Sequence, residues 1–250
     1  MLRNWTVLSI TAVAVTIAVV LFLYGPSIFS AAYSSAAPLA YNTNFSSVLD
    51  NFPSLSATYY VPVSNSSYLN ETVGYDVVNK AGVNGNPWYE INLSVSNATG
   101  DIYKLLYVYP NGTLSPNSLP SSYTVNFSNA RQVQRALAAY AAPFITLRSY
   151  IYGNITGGLA KYYPNITSYL NASPAQQTLD GFDMSTTTYT LTKPYSYGNS
   201  IARGELLSLV IKTGRLESNP SLMLTLYTSA TVLPPRGGEF SVIFKIKSLS

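Results

Sequence analysis

The sequence predicts a mainly β domain, β-sandwich-like or α+β with one long helix at about residues 129–151, behind a single N-terminal transmembrane or signal helix. Three observations carry this. Trp5 to Tyr24 is a continuous run without a charge. From residue 57 onward, strand-length runs rich in Tyr, Val and Ile recur between turn residues. Only between residues 129 and 151 does the apolar spacing lengthen to the helical three and four.

The first element, WTVLSITAVAVTIAVVLFLY at residues 5–24, is long enough as a helix to cross the roughly 30 Å hydrocarbon core of a bilayer. Arg3 and the amino terminus flank it on one side, and no charge follows until Asp50. The positive-inside bias therefore places the rest of the chain outside the cell. The run is longer than the apolar part of a typical secretory signal, which favours a retained anchor. Gly25-Pro26 followed by Ser30-Ala31-Ala32 nonetheless offers a cleavage site before Tyr33. Both readings put the same domain outside.

Residues 25–56 are small, polar and almost uncharged, and read as a tether lifting the domain off the membrane or, in part, as a strand donated to a partner. The organisation is thus 1–24 membrane or signal segment, 25–56 tether, and 57–250 β-rich extracellular domain. Strands are predicted at Ala57 to Val63, Thr72 to Asn79, Pro87 to Ser96, Ile102 to Tyr109 and Tyr123 to Ser128. Asn97-Ala98-Thr99-Gly100-Asp101 lies between two of them as a hairpin signal, and Pro110-Asn111-Gly112 as a turn.

Val133, Leu137, Tyr140, Phe144, Leu147 and Ile151 then form one apolar helical stripe, with Asn129 and Gln132 placed as a capping box and Pro143 as a kink. The β pattern returns at Met184 to Thr192, Leu206 to Lys212 and Ser221 to Val232. In the last strand Phe240, Val242, Phe244 and Ile246 share one face, while Ser241, Lys245 and Lys247 occupy the other with Ile243 among them. This strand is expected to be part of the core and a candidate assembly edge, guarded by its two lysines.

Composition narrows the chemistry. The 250 residues are 47% hydrophobic but only 10% charged, with 22 Tyr, three Met, no Cys and no His. A surface made wet by hydroxyls and amides keeps its character when carboxylates are protonated, so it suits acid. In composition the whole chain resembles cell-surface glycoproteins of heat- and acid-living archaea, a resemblance that implies an exposed, robust envelope protein.

Without His or Cys the common general base, the thiol nucleophile and most transition-metal ligands are missing, and no phosphate- or dinucleotide-binding glycine motif occurs. No cofactor, no metal and no enzymatic activity are expected. The one close carboxylate pair, Asp180 and Asp183 in LDGFDM, reads as a turn before it reads as an acid-active hydrolase site. The net charge of +4 arises from residues spread without a run, so nucleic acid is not an expected partner.

Asn-x-Ser/Thr begins at Asn44, Asn65, Asn70, Asn92, Asn97, Asn111, Asn126, Asn154, Asn165 and Asn171. This density points to N-linked glycans on an exposed domain. Tyr59-Tyr60, Tyr103/Tyr107/Tyr109, Tyr162-Tyr163 and Tyr195/Tyr197 form clusters that would suit sugar stacking, but suit half-buried strand positions better. The sequence therefore reads as an extracellular membrane-anchored or secreted glycoprotein with a structural or interaction role. Such a chain would serve an envelope layer, a filament, or a larger membrane assembly as its accessory ectodomain. Its expected partners are the membrane, through residues 5–24, and other envelope or filament proteins. The alternative is a lipid or small-ligand binding module with an apolar cradle.

Overall fold

The computed structural model describes residues 45–250 apart from 65–66, 84–85, 124, 126, 153–164, 199–202 and 235–237. The anticipated N-terminal helix lies outside the described residues, and among them no helix is long and apolar enough to cross a membrane.

Folding begins earlier than composition implies. Phe45–Asn51 is a helix, α1, inside the stretch whose composition reads as tether. Phe45, Val48, Leu49 and Phe52 stand at i, i+3, i+4 and i+7, one helical face, and all are buried. Four antiparallel strands follow: β1 Ser54–Ser64, β2 Ser67–Val83, β3 Asn86–Asn97 and β4 Gly100–Val108. Helices α2 Ala130–Tyr140 and α3 Ala142–Tyr152 come next. The chain then returns as β5 Leu170–Leu179, β6 Phe182–Leu191, β7 Tyr195–Gly198, β8 Arg203–Leu216, β9 Met223–Leu233 and β10 Phe240–Leu249.

The ten strands make one antiparallel sheet in the order β4-β3-β2-β1-β10-β9-β8-β6-β5, with β7 paired to the start of β8. One hydrogen-bonded path joins them, so the domain is mainly β, a large antiparallel sheet with few helices. The chain lays strands outward from β1 to β4, crosses by way of the helices, and builds inward from β5 until β10 pairs with β1. The last strand is consequently central. The expectation that it forms an assembly edge is corrected: both its sides are bonded, to β1 and to β9, and the sheet ends instead at β4 and β5.

The sheet curls. Four strand spacings, about 19 Å in a flat sheet, separate β1 from β6, yet the Phe52 ring just before β1 meets Phe182 at the start of β6 with centroids 4.8 Å apart. Asp180, in the β5–β6 turn, accepts a hydrogen bond from the Leu249 N–H at the end of β10. Curling brings side chains of both halves into one core, in which Leu55, Tyr75, Ile91, Leu93 and Leu106 join Met184, Leu216 and Leu224.

The helices cover that same face. The predicted long helix is divided at Ala141, whose φ of −110° and ψ of 23° leave the helical region. Pro143 has no N–H to return to the preceding turn, which accounts for the break. Asn129 caps α2 as predicted, accepting from the Gln132 N–H at 3.2 Å. Of the predicted stripe, Val133 and Leu137 pack with Leu119 in a small cluster of their own, Tyr140 is partly buried against that cluster and the main core, and Phe144, Leu147 and Ile151 enter the main core, joined there by Tyr150. The Tyr150 ring stacks on Phe244 at 4.6 Å, and Tyr59 lies 5.4 Å from both.

Three strand expectations change. Tyr123 to Ser128, read as a strand, is turn and irregular chain at its described positions. β5, absent from the sequence reading, is an edge strand exposed along nearly its whole length, so it carries no alternation to detect. β2 runs well beyond the predicted Thr72 to Asn79, bulging between Val77 and Asn79.

The buried phenols set a pH limit. Burial raises the pKa of Tyr59, with Tyr150 and Glu71 adding to it; burial likewise raises Tyr75, helped by Asp76, and Tyr150. A group whose folded pKa is raised contributes fully below its unfolded value and loses that contribution as pH climbs past it. For these tyrosines stability is intact below pH ~10 and falls above it by about 1.4 kcal/mol per pH unit per phenol. Urea midpoints should be equal at pH 8 and 9 and drop sharply by pH 11.

Candidate interaction surface

Alternation places the polar half of each central strand on the open face, opposite the helices. Tyr59 points into the core, so its neighbours Thr58 and Tyr60 point out. On β10 Val242, Phe244 and Ile246 are buried, so Ile243, Lys245 and Lys247 point out. Register sets Thr58 across from Lys245 and Tyr60 across from Ile243. These five side chains bound a hollow of about 300 Å³, and the Thr58 hydroxyl is buried there without a hydrogen-bond partner. The hollow pairs an apolar floor with a cationic rim. It contains neither a carboxylate nor a nucleophile–base pair.

The sequons are a second feature of the surface. Asn44, Asn65, Asn126 and Asn154 lie outside the described residues. Asn70 on β2, Asn92 on β3, Asn111, Asn165 and Asn171 on β5 are exposed, and Asn97 is half-exposed. Asn92 projects from the open face between Asp76 and Leu105. Asn165 sits in the left-handed region at φ 66°.

Two sequons share one shape. The Oδ1 of Asn97 accepts from the Thr99 N–H at 2.9 Å and the Thr99 hydroxyl at 2.6 Å. The Oδ1 of Asn111 accepts from the Thr113 N–H at 2.9 Å and the Thr113 hydroxyl at 2.7 Å. In each the Asn and the Thr of the sequon form an Asx-turn, with the amide nitrogen held apart from the Thr hydroxyl.

Asp180 and Asp183 are taken up by structure. Asp180 and Gly181 have φ of 48° and 87°, the two positive values of a type I′ hairpin turn, and Leu179 pairs with Phe182 across it. The Thr178 hydroxyl donates to Asp183 at 2.6 Å. Among the described residues, no three of His, Cys, Asp and Glu gather to hold a metal.

The tyrosine clusters divide. Tyr59 and Tyr195 are buried, the latter edge-on to Tyr169 at 5.2 Å. Tyr107 packs on Trp88 at 5.4 Å, and among the described members only Tyr103, at 72%, is largely exposed. Tyr162 and Tyr163 lie outside the described residues. Most of these rings are packing elements. The hollow escaped sequence reasoning because it depends on which strand β10 pairs with; the outward pair Lys245 and Lys247 was its one visible trace.

No protein-family model matches this chain, and no curated protein matches it. Among solved structures, the chain is similar to one in the MucA/MucB complex of Pseudomonas aeruginosa, at 10% identity and a TM-score of 0.25, over 83% of this chain and 57% of that one. It is similar to one in the complex of MucB with MucA(peri), also at 10% and 0.25, over 82% and 53%. A third is a protein of Parabacteroides distasonis assigned as a lipoprotein, at 9% and 0.25, over 79% of this chain and 94% of that one. The chain spans a little over half the length of the first two, and at these TM-scores the reading of its surface rests on its own residues.

Proposed function

We propose that this chain is an extracytoplasmic glycoprotein with a structural or interaction role, anchored by residues 5–24 or secreted, and not an enzyme. The placement of the sequons carries this reading: every described one stands at the surface, and none points into the core. A glycan is bulky and needs solvent around its Asn; Asn111 is exposed in its Asx-turn, and Asn97, half-exposed in its own, donates its Nδ2 to Glu71 on β2 at 3.5 Å, a contact that a glycan would replace. The non-enzymatic part is supported by the engagement of Asp180 and Asp183 in a hairpin turn. Intact-mass measurement on protein purified from its native membranes tests the proposal. The mass should exceed the 27.1 kDa polypeptide by several glycans, with Asn97 and Asn111 occupied, and protease added to intact cells should digest the domain. An unmodified native mass would remove the glycoprotein reading.

A second reading, binding of a small ligand, is favoured by the hollow at Thr58 and Tyr60, where an unpartnered hydroxyl meets two lysines. It differs from the anticipated apolar cradle, which a sheet wrapped round the helix at 129–151 would make. That space is filled by Tyr59, Tyr150 and Phe244.

A further inference from the structure

The chain's charges are divided by region. From residue 102 to residue 179 there is no Asp or Glu, while Lys104, Arg131, Arg135, Arg148 and Lys161 all fall there. That stretch contains α2 and α3. The carboxylates therefore stand on the strands and their turns and on α1, and α2 lies in a segment with positive charge only.

Two of the five cations are committed to the fold. Lys104 donates to the Tyr140 carbonyl at the end of α2 and lies over the Tyr140 ring, and Arg148 donates to the Gly112 carbonyl. Arg131 and Arg135 are exposed, with no carboxylate at ion-pair distance among the described residues. At about 100° per residue, Arg131, Gln134, Arg135 and Ala138 fall within one arc of α2, opposite Val133 and Leu137, which face the domain. Just before the helix, Phe127 is 62% exposed, and Tyr123 is 38% exposed. An apolar ring beside paired arginines, in a stretch of sequence without Asp or Glu, matches a surface of anionic headgroups above hydrocarbon.

The point where the chain enters the fold adds a geometric argument. The Ser46 N–H donates to the Pro110 carbonyl, and the Phe45 ring meets Phe144 of α3 edge-on at 6.0 Å. Phe144 lies one helical turn beyond the end of α2. Only residues 25–44 separate this point from the apolar run ending at Tyr24. So short a chain spans at most about 70 Å and presents the helical side to the membrane at an effective concentration of order millimolar.

We infer that α2, through Arg131, Arg135 and the adjoining Phe127, docks on anionic lipid at the surface of the membrane from which the tether emerges, and that the Asn126 sequon, whose middle residue is Phe127, therefore carries no glycan. This rests on the anchored form of the proposal above. Each arginine near an anionic surface is worth about fivefold in binding, so neutralising both shifts the docking equilibrium about 30-fold.

The chain has no cysteine, so a single introduced thiol gives a unique label. The full chain carrying Gln134→Cys is labelled with a fluorophore and reconstituted into phosphatidylcholine vesicles with or without phosphatidylglycerol. Ala175→Cys on exposed β5 is the control. A water-soluble quencher should reach the Gln134 position several-fold less in anionic than in neutral vesicles. Molar salt, or R131Q with R135Q, should restore quenching, and the β5 label should be equally quenched throughout. Equal quenching of the Gln134 label in both vesicle types would overturn docking. Shielding that persists in neutral vesicles or in molar salt would also overturn it, in favour of another copy or an apolar contact. Protein that leaves the vesicles on alkaline washing would overturn the anchored reading, and this inference with it; protein that stays but is equally quenched overturns docking alone.

Discussion

Phe244→Ala is expected to cost about 3 to 5 kcal/mol, the usual range for deleting a fully buried aromatic side chain, against a total stability of about 5 to 15 kcal/mol. Phe244 is fully buried at the middle of the sheet, and the Tyr59 and Tyr150 rings rest on it. Truncation would unstack both and open a void that α3, bounded by the Pro143 break, cannot follow the sheet to fill. Losing the strand is worse than losing the ring. Among the described residues, 240–250 form the only ladder joining β1 to β9, so their deletion would separate the half-sheet β1 to β4 from the half-sheet β5 to β9 and free two edges. No folded protein is expected from that deletion. Urea unfolding followed by circular dichroism checks both, and a Phe244→Ala variant within 1 kcal/mol of the parent would mean that the stack does not hold the helix to the sheet.

The inward and outward sides of β10 were legible because alternation is a local property: Val242, Phe244 and Ile246 against Lys245 and Lys247 needs no neighbour to be read. Its central place was not legible. Which strand lies beside which is decided by pairing across nearly the whole domain, as in Leu55 with Leu249, and no periodicity records it. The lysines looked like edge guards, yet they stand on the open face of an inner strand, where solvent on one side is enough to account for them. β5 shows the converse. With Pro174 and nearly every side chain exposed, it has the composition of a loop and is a strand only because β6 supplies its partner.

Surface features divide in the same way. The sequons and the Asp-Gly turn are contiguous in sequence and could be placed directly. The hollow at Thr58, Tyr60 and Ile243 is assembled from neighbouring strands that lie nearly two hundred residues apart in sequence. The charge division was present in the chain from the start, but its meaning depends on residues 130–152 forming helices at the side where the tether enters.

Removing residues 25–44 should leave the domain's thermal unfolding unchanged, whereas extending the deletion through residue 52 should abolish it. Both stretches are rich in Ser and almost uncharged, but spacing tells them apart: Phe45, Val48, Leu49 and Phe52 close one helical face. In the fold each is at most 1% exposed. Phe45 seats against Phe144 and Phe52 against Phe182, so α1 ties the helical layer to the far arm of the curled sheet. The Tyr75 hydroxyl donates to the Phe52 carbonyl at 2.9 Å and would be left buried without an acceptor, a further cost of about 1 to 3 kcal/mol. Phe45→Ala and Phe52→Ala should each cost about 3 to 5 kcal/mol, so that together they approach or exceed the usual total. Differential scanning calorimetry on the two deletions distinguishes a tether from a core element: a cooperative transition surviving loss of residues 45–52 would show that α1 merely decorates the sheet, and the curl would then have to be held by the β5–β6 turn and Leu249 alone.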